Sequence, residues 1–188
     1  ATSVTQRGKI EVYGRQKKTM PDGWVIKQDG TTSNDPNEVL KALVDGTAAL
    51  TPLGGIGEDG GGYKGYGYST VVEILCAALQ GGSYMKMLTG LENGKKVPYK
   101  LGHFFMAINI SNFIEIDEFK KITGDVLREL RASKKMPGQD RIYTAGEKEH
   151  DAWLERKDKG APVNKSLQEE IMIMKNELGL TGYQFPFE

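Results

Sequence analysis

Residues 52–67 read PLGGIGEDGGGYKGYG, and this block is where the chain's residue types come nearest to ligand chemistry. Within it, GIGEDG at 55–60 fits the spacing G-x-G-x-x-G. A dinucleotide fingerprint also needs a strand just before the first glycine, a helix opening inside it and an acid about twenty residues on. Here Pro52-Leu53 precedes, Glu58 and Asp59 would face a pyrophosphate, and Gly61-Gly62 works against a helix start. The Rossmann reading fails, and so does a Walker loop, because no Gly-Lys-Ser or Gly-Lys-Thr occurs. What survives is Gly62-Tyr63-Lys64-Gly65-Tyr66-Gly67 opening a helix. Glycines let a ligand approach the backbone, and a helix start offers unpaired amides and a positive dipole end. Lys64 adds a charge and Tyr63 a flat surface, equipment suited to an anionic ligand with an aromatic ring. A flexible loop joining two helices is the equally weighted alternative. Thr144-Ala145-Gly146-Glu147-Lys148 is a second helix entrance, with a glycine at its mouth and Lys148 in the first turn. Alone it reads as a helix start; paired with the first loop, it could grip the other end of an extended cofactor.

The remaining reactive side chains do not assemble into a catalyst. His103 heads an apolar run and reads as a structural histidine, and His150 sits between Glu149 and Asp151 on a charged face. Two separated histidines and one cysteine make no zinc site, so no metal is expected. Cys76 lies among apolar residues and reads as an inert core thiol. Ser69 and Ser83 have no base-and-orienter arrangement. No catalytic residue is assigned.

Positioning these residues falls to a chain of mostly helices. Ser3 and Gln6 have capping-box spacing for a helix through Gln16. Pro21-Asp22-Gly23 is a turn and residues 28–34 a polar connection. Asp35-Pro36-Asn37-Glu38 starts a second helix, with Asp35 as N-cap, and Gly46 ends it. The glycine block feeds a helix from about Tyr68 to Leu79, stopped at Gly81-Gly82. Residues 102–110, GHFFMAINI, form the best strand candidate, apolar enough for burial on both faces. Ile116, Phe119, Val126 or Leu127, and Leu130 mark a helix weakened at Gly124 and ended by Pro137-Gly138. Residues 141–144 suit a short strand. One helix begins after Gly146, another carries Leu167, Ile171, Met174 and Leu178, and the aromatic tail from Tyr183 to Phe187 is expected to pack. One strong strand among several helices is a poor sheet by itself, so the expectation is a chain that lacks partners for its own elements.

Composition narrows the classes. The 188 residues carry 25 basic and 25 acidic side chains, which argues against nucleic-acid binding. A single cysteine excludes an internal disulfide. The apolar stretch 71–79 contains Glu73 and is far shorter than the roughly 20 residues of a membrane span. No signal peptide is recognisable, and a soluble, cytoplasmic protein is the expectation. Twenty-four glycines follow no collagen-like period, and the sequence opens at Ala1 without a methionine.

Ala1-Thr2-Ser3 with Gly8-Lys9-Ile10, Pro21-Asp22-Gly23-Trp24, Asp35-Pro36, Pro52-Leu53-Gly54-Gly55 and, above all, Tyr63-Lys64-Gly65-Tyr66-Gly67 followed by Val72-Glu73-Ile74-Leu75 resemble, in order, the malate/L-lactate dehydrogenase family that lacks a Rossmann fold. Gly102-His103-Phe104-Phe105 and Ala145-Gly146-Glu147 continue the likeness. That family includes sulfolactate and ureidoglycolate dehydrogenases and a diketogulonate reductase. The resemblance implies an α/β fold, a mixed sheet flanked by helices, of which this sequence is the C-terminal half. Residues 1–110 would complete the NAD(P)-binding domain, and 111–188 would form a helical segment packing with the N-terminal region. It implies an NAD(P)-dependent oxidoreductase of 2-hydroxy acids, with malate favoured and lactate or sulfolactate as alternatives, working as a homodimer. The cofactor, NAD or NADP, would meet Ala1, Tyr63, Lys64, Gly146, Glu147 and Lys148. The family's proton-donating histidine stands in a Ser-His-Gly context absent here, so this half alone is expected to be nearly inactive. Neither a nucleic acid nor a membrane is implied. A non-catalytic nucleotide-binding or interaction module is the alternative of another class.

Overall fold

The computed structural model describes residues 2–188. In chain order the elements are α1 (Arg7–Arg15), β1 (Val25–Lys27), α2 (Pro36–Asp45), β2 (Ala48–Leu50), α3 (Gly62–Cys76), β3 (Leu91–Glu92), β4 (Lys95–Lys96), α4 (Ile116–Ala132), α5 (Glu147–Arg156) and α6 (Lys165–Glu177). Tight helical turns at Ala78–Gln80, Met85–Thr89 and Ile110–Asn112 connect some of them. The class is mixed α/β, with two antiparallel sheets of two strands each, β1–β2 and β3–β4. The chain divides into two compact units: Ala1–Phe105 with Lys165–Glu188, and Met106–Asn164. This division by compactness does not coincide with one at residue 110.

In the first unit, Ile10 of α1, Met20, Val25 of β1 and Val39 of α2 form the buried core. Tyr13, Trp24, Leu40, Leu43, Ala48 and Leu50 close around it. Tyr13 meets Trp24 edge-on at 5.2 Å between ring centroids, the arrangement the ring quadrupoles favour. Strand β1 pairs with β2 in the register Val25↔Leu50, Ile26↔Ala49, Lys27↔Ala48. The expected start of α2 is found: the Asp35 carboxylate accepts from the Asn37 amide at 2.8 Å and the Glu38 amide at 3.4 Å. Pro36 occupies the first turn, and Gly46 ends the helix at φ 72°, where a side chain would be strained. At the other end of the unit, the tail packs onto α6 as expected. Lys175 binds the Glu188 carboxylate at 2.6 Å, and the Phe185 and Phe187 rings stack at 5.4 Å.

Several expectations are corrected. The Ser3/Gln6 capping box does not form; α1 begins at Arg7, and Gln6 makes no side-chain cap. Main-chain pairing draws Ser3 into an extended bridge with Pro52 instead, with the Val4 amide on the Thr51 carbonyl at 2.9 Å. The glycine-fed helix starts at Gly62, well before Tyr68, and its α-helical part ends at Cys76. Residues 102–110 form no strand. Phe105 in that run is 87% exposed, because both sheets pair other segments and none reaches it. Residues 141–144 form no strand and have no regular secondary structure.

In the second unit, α4 carries Asp117 and Glu118 in its first turn and Arg131 in its last, each sign suited to the helix dipole. It runs unbroken through Gly124, where Asp125 binds Lys121 at 3.1 Å and Arg128 at 2.6 Å. Its apolar residues Ile116, Phe119, Ile122, Val126 and Leu130 recur at helical spacing, yet all are exposed.

Candidate functional site

The mouth of α3 is built by the glycine block itself. The Gly62 amide donates to the Gly57 carbonyl at 3.2 Å, that of Lys64 to Gly61 at 3.0 Å, and that of Gly65 to Leu53 at 3.0 Å. Among the first four helical residues, only Tyr63 lacks a carbonyl partner within the described chain. The block therefore supplies the partners that a helix start otherwise leaves open to a ligand. A Cβ on Gly62 would collide with the Gly55 carbonyl oxygen, and one on Gly65 with the main chain of Leu53. These two glycines are needed for chain-on-chain approach. That corrects the expectation of open amides and of glycines making room for a ligand. What remains outward is the pair Tyr63 and Lys64. The Tyr63 ring is 60% exposed, with the Lys64 ammonium 5.8 Å from its centroid. Lys64 has no carboxylate within ion-pair distance among the described residues.

The mouth of α5 is organised differently. Gly146 caps it at φ 89°, a conformation that favours glycine, with no side-chain cap. One oxygen of Glu147 accepts from the Thr144 amide at 2.9 Å and lies 3.4 Å from the Arg141 guanidinium. The other binds Arg131, the last-turn arginine of α4, at 2.9 Å. The Thr144 amide first, then the Arg131 hydrogen bond and the charges of Arg131 and Arg141, hold the Glu147 carboxyl below its ordinary range. Next to it, the Tyr143 ring carries the Arg141 guanidinium at 4.4 Å and the Lys148 ammonium at 4.8 Å. This locus is an aromatic ring flanked by cations, with one carboxylate holding the loop between the helices. Arg131, Arg141 and Tyr143 escaped the sequence reading. The short strand expected at 141–144 gave no sign that its side chains meet Glu147.

Tyr63 and Lys64 belong to the first compact unit, and Gly146, Glu147 and Lys148 to the second. Ala1 lies outside the described residues. Both histidine rings meet neighbouring aromatic rings. His103 stacks on Phe105 at 6.2 Å and His150 on Trp153 at 6.0 Å.

Comparison with known proteins identifies the scaffold. Residues 1–172 match the family described as malate/L-lactate dehydrogenase. The malate dehydrogenase of Pyrococcus horikoshii is 37% identical over 182 residues, 97% of this chain and 48% of that protein. A malate dehydrogenase structure from Entamoeba histolytica matches with a TM-score of 0.85 at 37% identity, covering 99% of this chain and 50% of the other. The sulfolactate dehydrogenase structure from Methanocaldococcus jannaschii matches at 0.65 and 31% identity, covering 95% and 47%. The chain thus spans about half the length of these relatives. With its glycine-built helix entrance and its mixed α/β scaffold, the chain belongs to the malate/L-lactate dehydrogenase family.

Proposed function

We propose that this chain supplies cofactor-gripping elements of an NAD(P)-dependent dehydrogenase that interconverts a 2-hydroxy acid, malate first, with its 2-oxo acid. The observation that carries the reading is 37% identity to a malate dehydrogenase across nearly the whole chain. The residues on view suit an anionic dinucleotide. Lys64 and Lys148 are cations without carboxylate partners among the described residues, and Tyr63 and Tyr143 are exposed rings beside them. When bound, the nicotinamide exchanges a hydride with C2 of the acid. In this reading Lys64 and Lys148 draw in the phosphates, and the tyrosines offer faces to the bases. The Gly146-Glu147-Lys148 segment forms the second contact, with Glu147 holding it in shape. Proton transfer falls to a histidine in the N-terminal half of the enzyme, which we propose as this chain's partner in a cytoplasmic homodimer. The match to a sulfolactate dehydrogenase favours sulfolactate as the second candidate substrate.

Lys64→Ala in the full-length enzyme tests the grip. The expected outcome is NADH affinity about tenfold weaker, the loss of one charge-assisted contact of about 1.4 kcal/mol, with an unchanged thermal midpoint. NADH fluorescence titration reads it, and an unchanged Kd removes Lys64 from the site.

A further inference from the structure

Leu53 ties two separate stretches of chain to one residue. Its amide donates to the Thr2 carbonyl at 2.9 Å, and its carbonyl accepts from the Gly65 amide at 3.0 Å. Just upstream, the Thr51 amide donates to the Trp24 carbonyl at 3.0 Å, and the Thr51 carbonyl accepts from the Val4 amide at 2.9 Å. Thr51 is fully buried, and Trp24 packs on the core. Residues 51–53 are thus anchored to the core at one end. At the other they carry both the 2–4 segment and the first turn of α3. All of these residues belong to the first compact unit. The amide and carbonyl of one residue are held by fixed bonds and angles, with only φ and ψ free to turn. Where Leu53 sits, Thr2 and Gly65 follow.

Gly65 makes the junction possible. A Cβ there would overlap the nitrogen, the oxygen and the α-carbon of Leu53, main-chain atoms that cannot rotate away. Gly67, in the same helix, has open space at that place. The need for glycine at 65 therefore comes from the contact with Leu53 and not from the helix. Lys64 directly precedes Gly65 inside α3, so a shift of one is a shift of the other.

We propose that Gly65 is a positioning residue for cofactor binding. By letting α3 seat against Leu53, it fixes the separation between Lys64 and the Thr2-Ser3 segment, so that the two meet one dinucleotide as a preformed pair. A preformed pair spares the ordering cost that two independently moving segments would bring to binding. The inference rests on the reading above in taking Lys64 as a cofactor contact, and on the family likeness in taking the segment at Ala1 as another.

The test is NADH titration of the full-length enzyme in a double-mutant cycle of Gly65→Ala with Lys64→Ala, at a temperature where each variant is folded. Gly65→Ala alone should weaken NADH about tenfold, and in the Lys64→Ala background about threefold or less, because no lysine is left to misplace. A merely structural defect lowers the number of binding sites and leaves their Kd unchanged. Leu53→Pro removes the amide that serves Thr2, adds nothing at α3, and should weaken NADH by about threefold or more. It carries the test where Gly65→Ala yields no folded enzyme. In the wild-type enzyme, NADH at about a hundred times its Kd should slow exchange of the Leu53 and Gly65 amides by the same factor, about tenfold or more, since opening the junction gives up the cofactor. An unchanged Kd in the junction variants, fully additive losses in the cycle, or protection of one amide without the other overturns the inference. Lys64→Ala with an unchanged Kd sinks the cofactor reading itself. Lys64→Ala with a weakened Kd beside silent junction variants leaves that reading standing and removes only the positioning role.

Discussion

At the scale of single residues, Glu147 shows how a side chain's neighbours fix its task. Both of its oxygens are engaged, by the Thr144 amide, Arg131 and Arg141. Its folded-state carboxyl sits below the ordinary 4.5, so its contribution is present above that value and is lost as pH falls through the lowered one. Glu147→Gln keeps an acceptor for Thr144 but drops both ion pairs. We expect amide exchange at Thr144 to quicken several-fold at neutral pH. Acidification below pH 4.5 should loosen this loop in the wild-type chain and leave the variant nearly unaffected. NMR exchange measurements across that range would show it, and identical pH profiles would dismiss the clamp. The sequence placed Glu147 at a helix entrance, and only the family likeness put it beside a cofactor. Its arginine partners were hidden, since Arg131 lies on another helix and nothing local announces which side chains a loop will bring together.

The elements divide into those with local causes and those without. Helix α2 was readable almost residue by residue, because an aspartate cap, a proline in the first turn and a terminal glycine each act on their own stretch of backbone. The start of α3 was misread because the decisive contacts are not local: Leu53 and Gly57 carbonyls, upstream in the glycine block, complete its first turn. The same geometry gives two neighbouring glycines opposite responses. Gly67 has open space where a Cβ would sit, so Gly67→Ala should stabilise the chain by about 0.5–1 kcal/mol through helix propensity. Gly65 faces the Leu53 main chain, so Gly65→Ala should force the entrance apart and destabilise by roughly 1–3 kcal/mol. Urea midpoints of the two variants would separate them; shifts of the same sign would mean that the helix entrance is not closed on Leu53.

For the whole molecule, the question is where the apolar residues go. The helical stripe of α4 was legible in the sequence, because periodicity marks one face of a helix, whereas the apolar run at 102–110 suggested a strand that this chain does not form. The structure shows which burial this chain provides by itself. Ile10, Met20, Val25 and Val39 are enclosed, whereas Ile122 and Val126 on α4 are about half exposed. The same truncation should therefore have different consequences at the two places. Ile10→Ala should destabilise the lone chain by about 2–4 kcal/mol, the cost of a core cavity. Ile122→Ala should change it by no more than about 0.5 kcal/mol, as at a surface position. In the full-length enzyme the contrast should shrink, with Ile122→Ala rising to roughly 2 kcal/mol as the stripe becomes covered. Thermal or urea unfolding of both variants in both settings decides it. If Ile122→Ala stays silent in the full-length enzyme, the exposed stripe of α4 is a true surface.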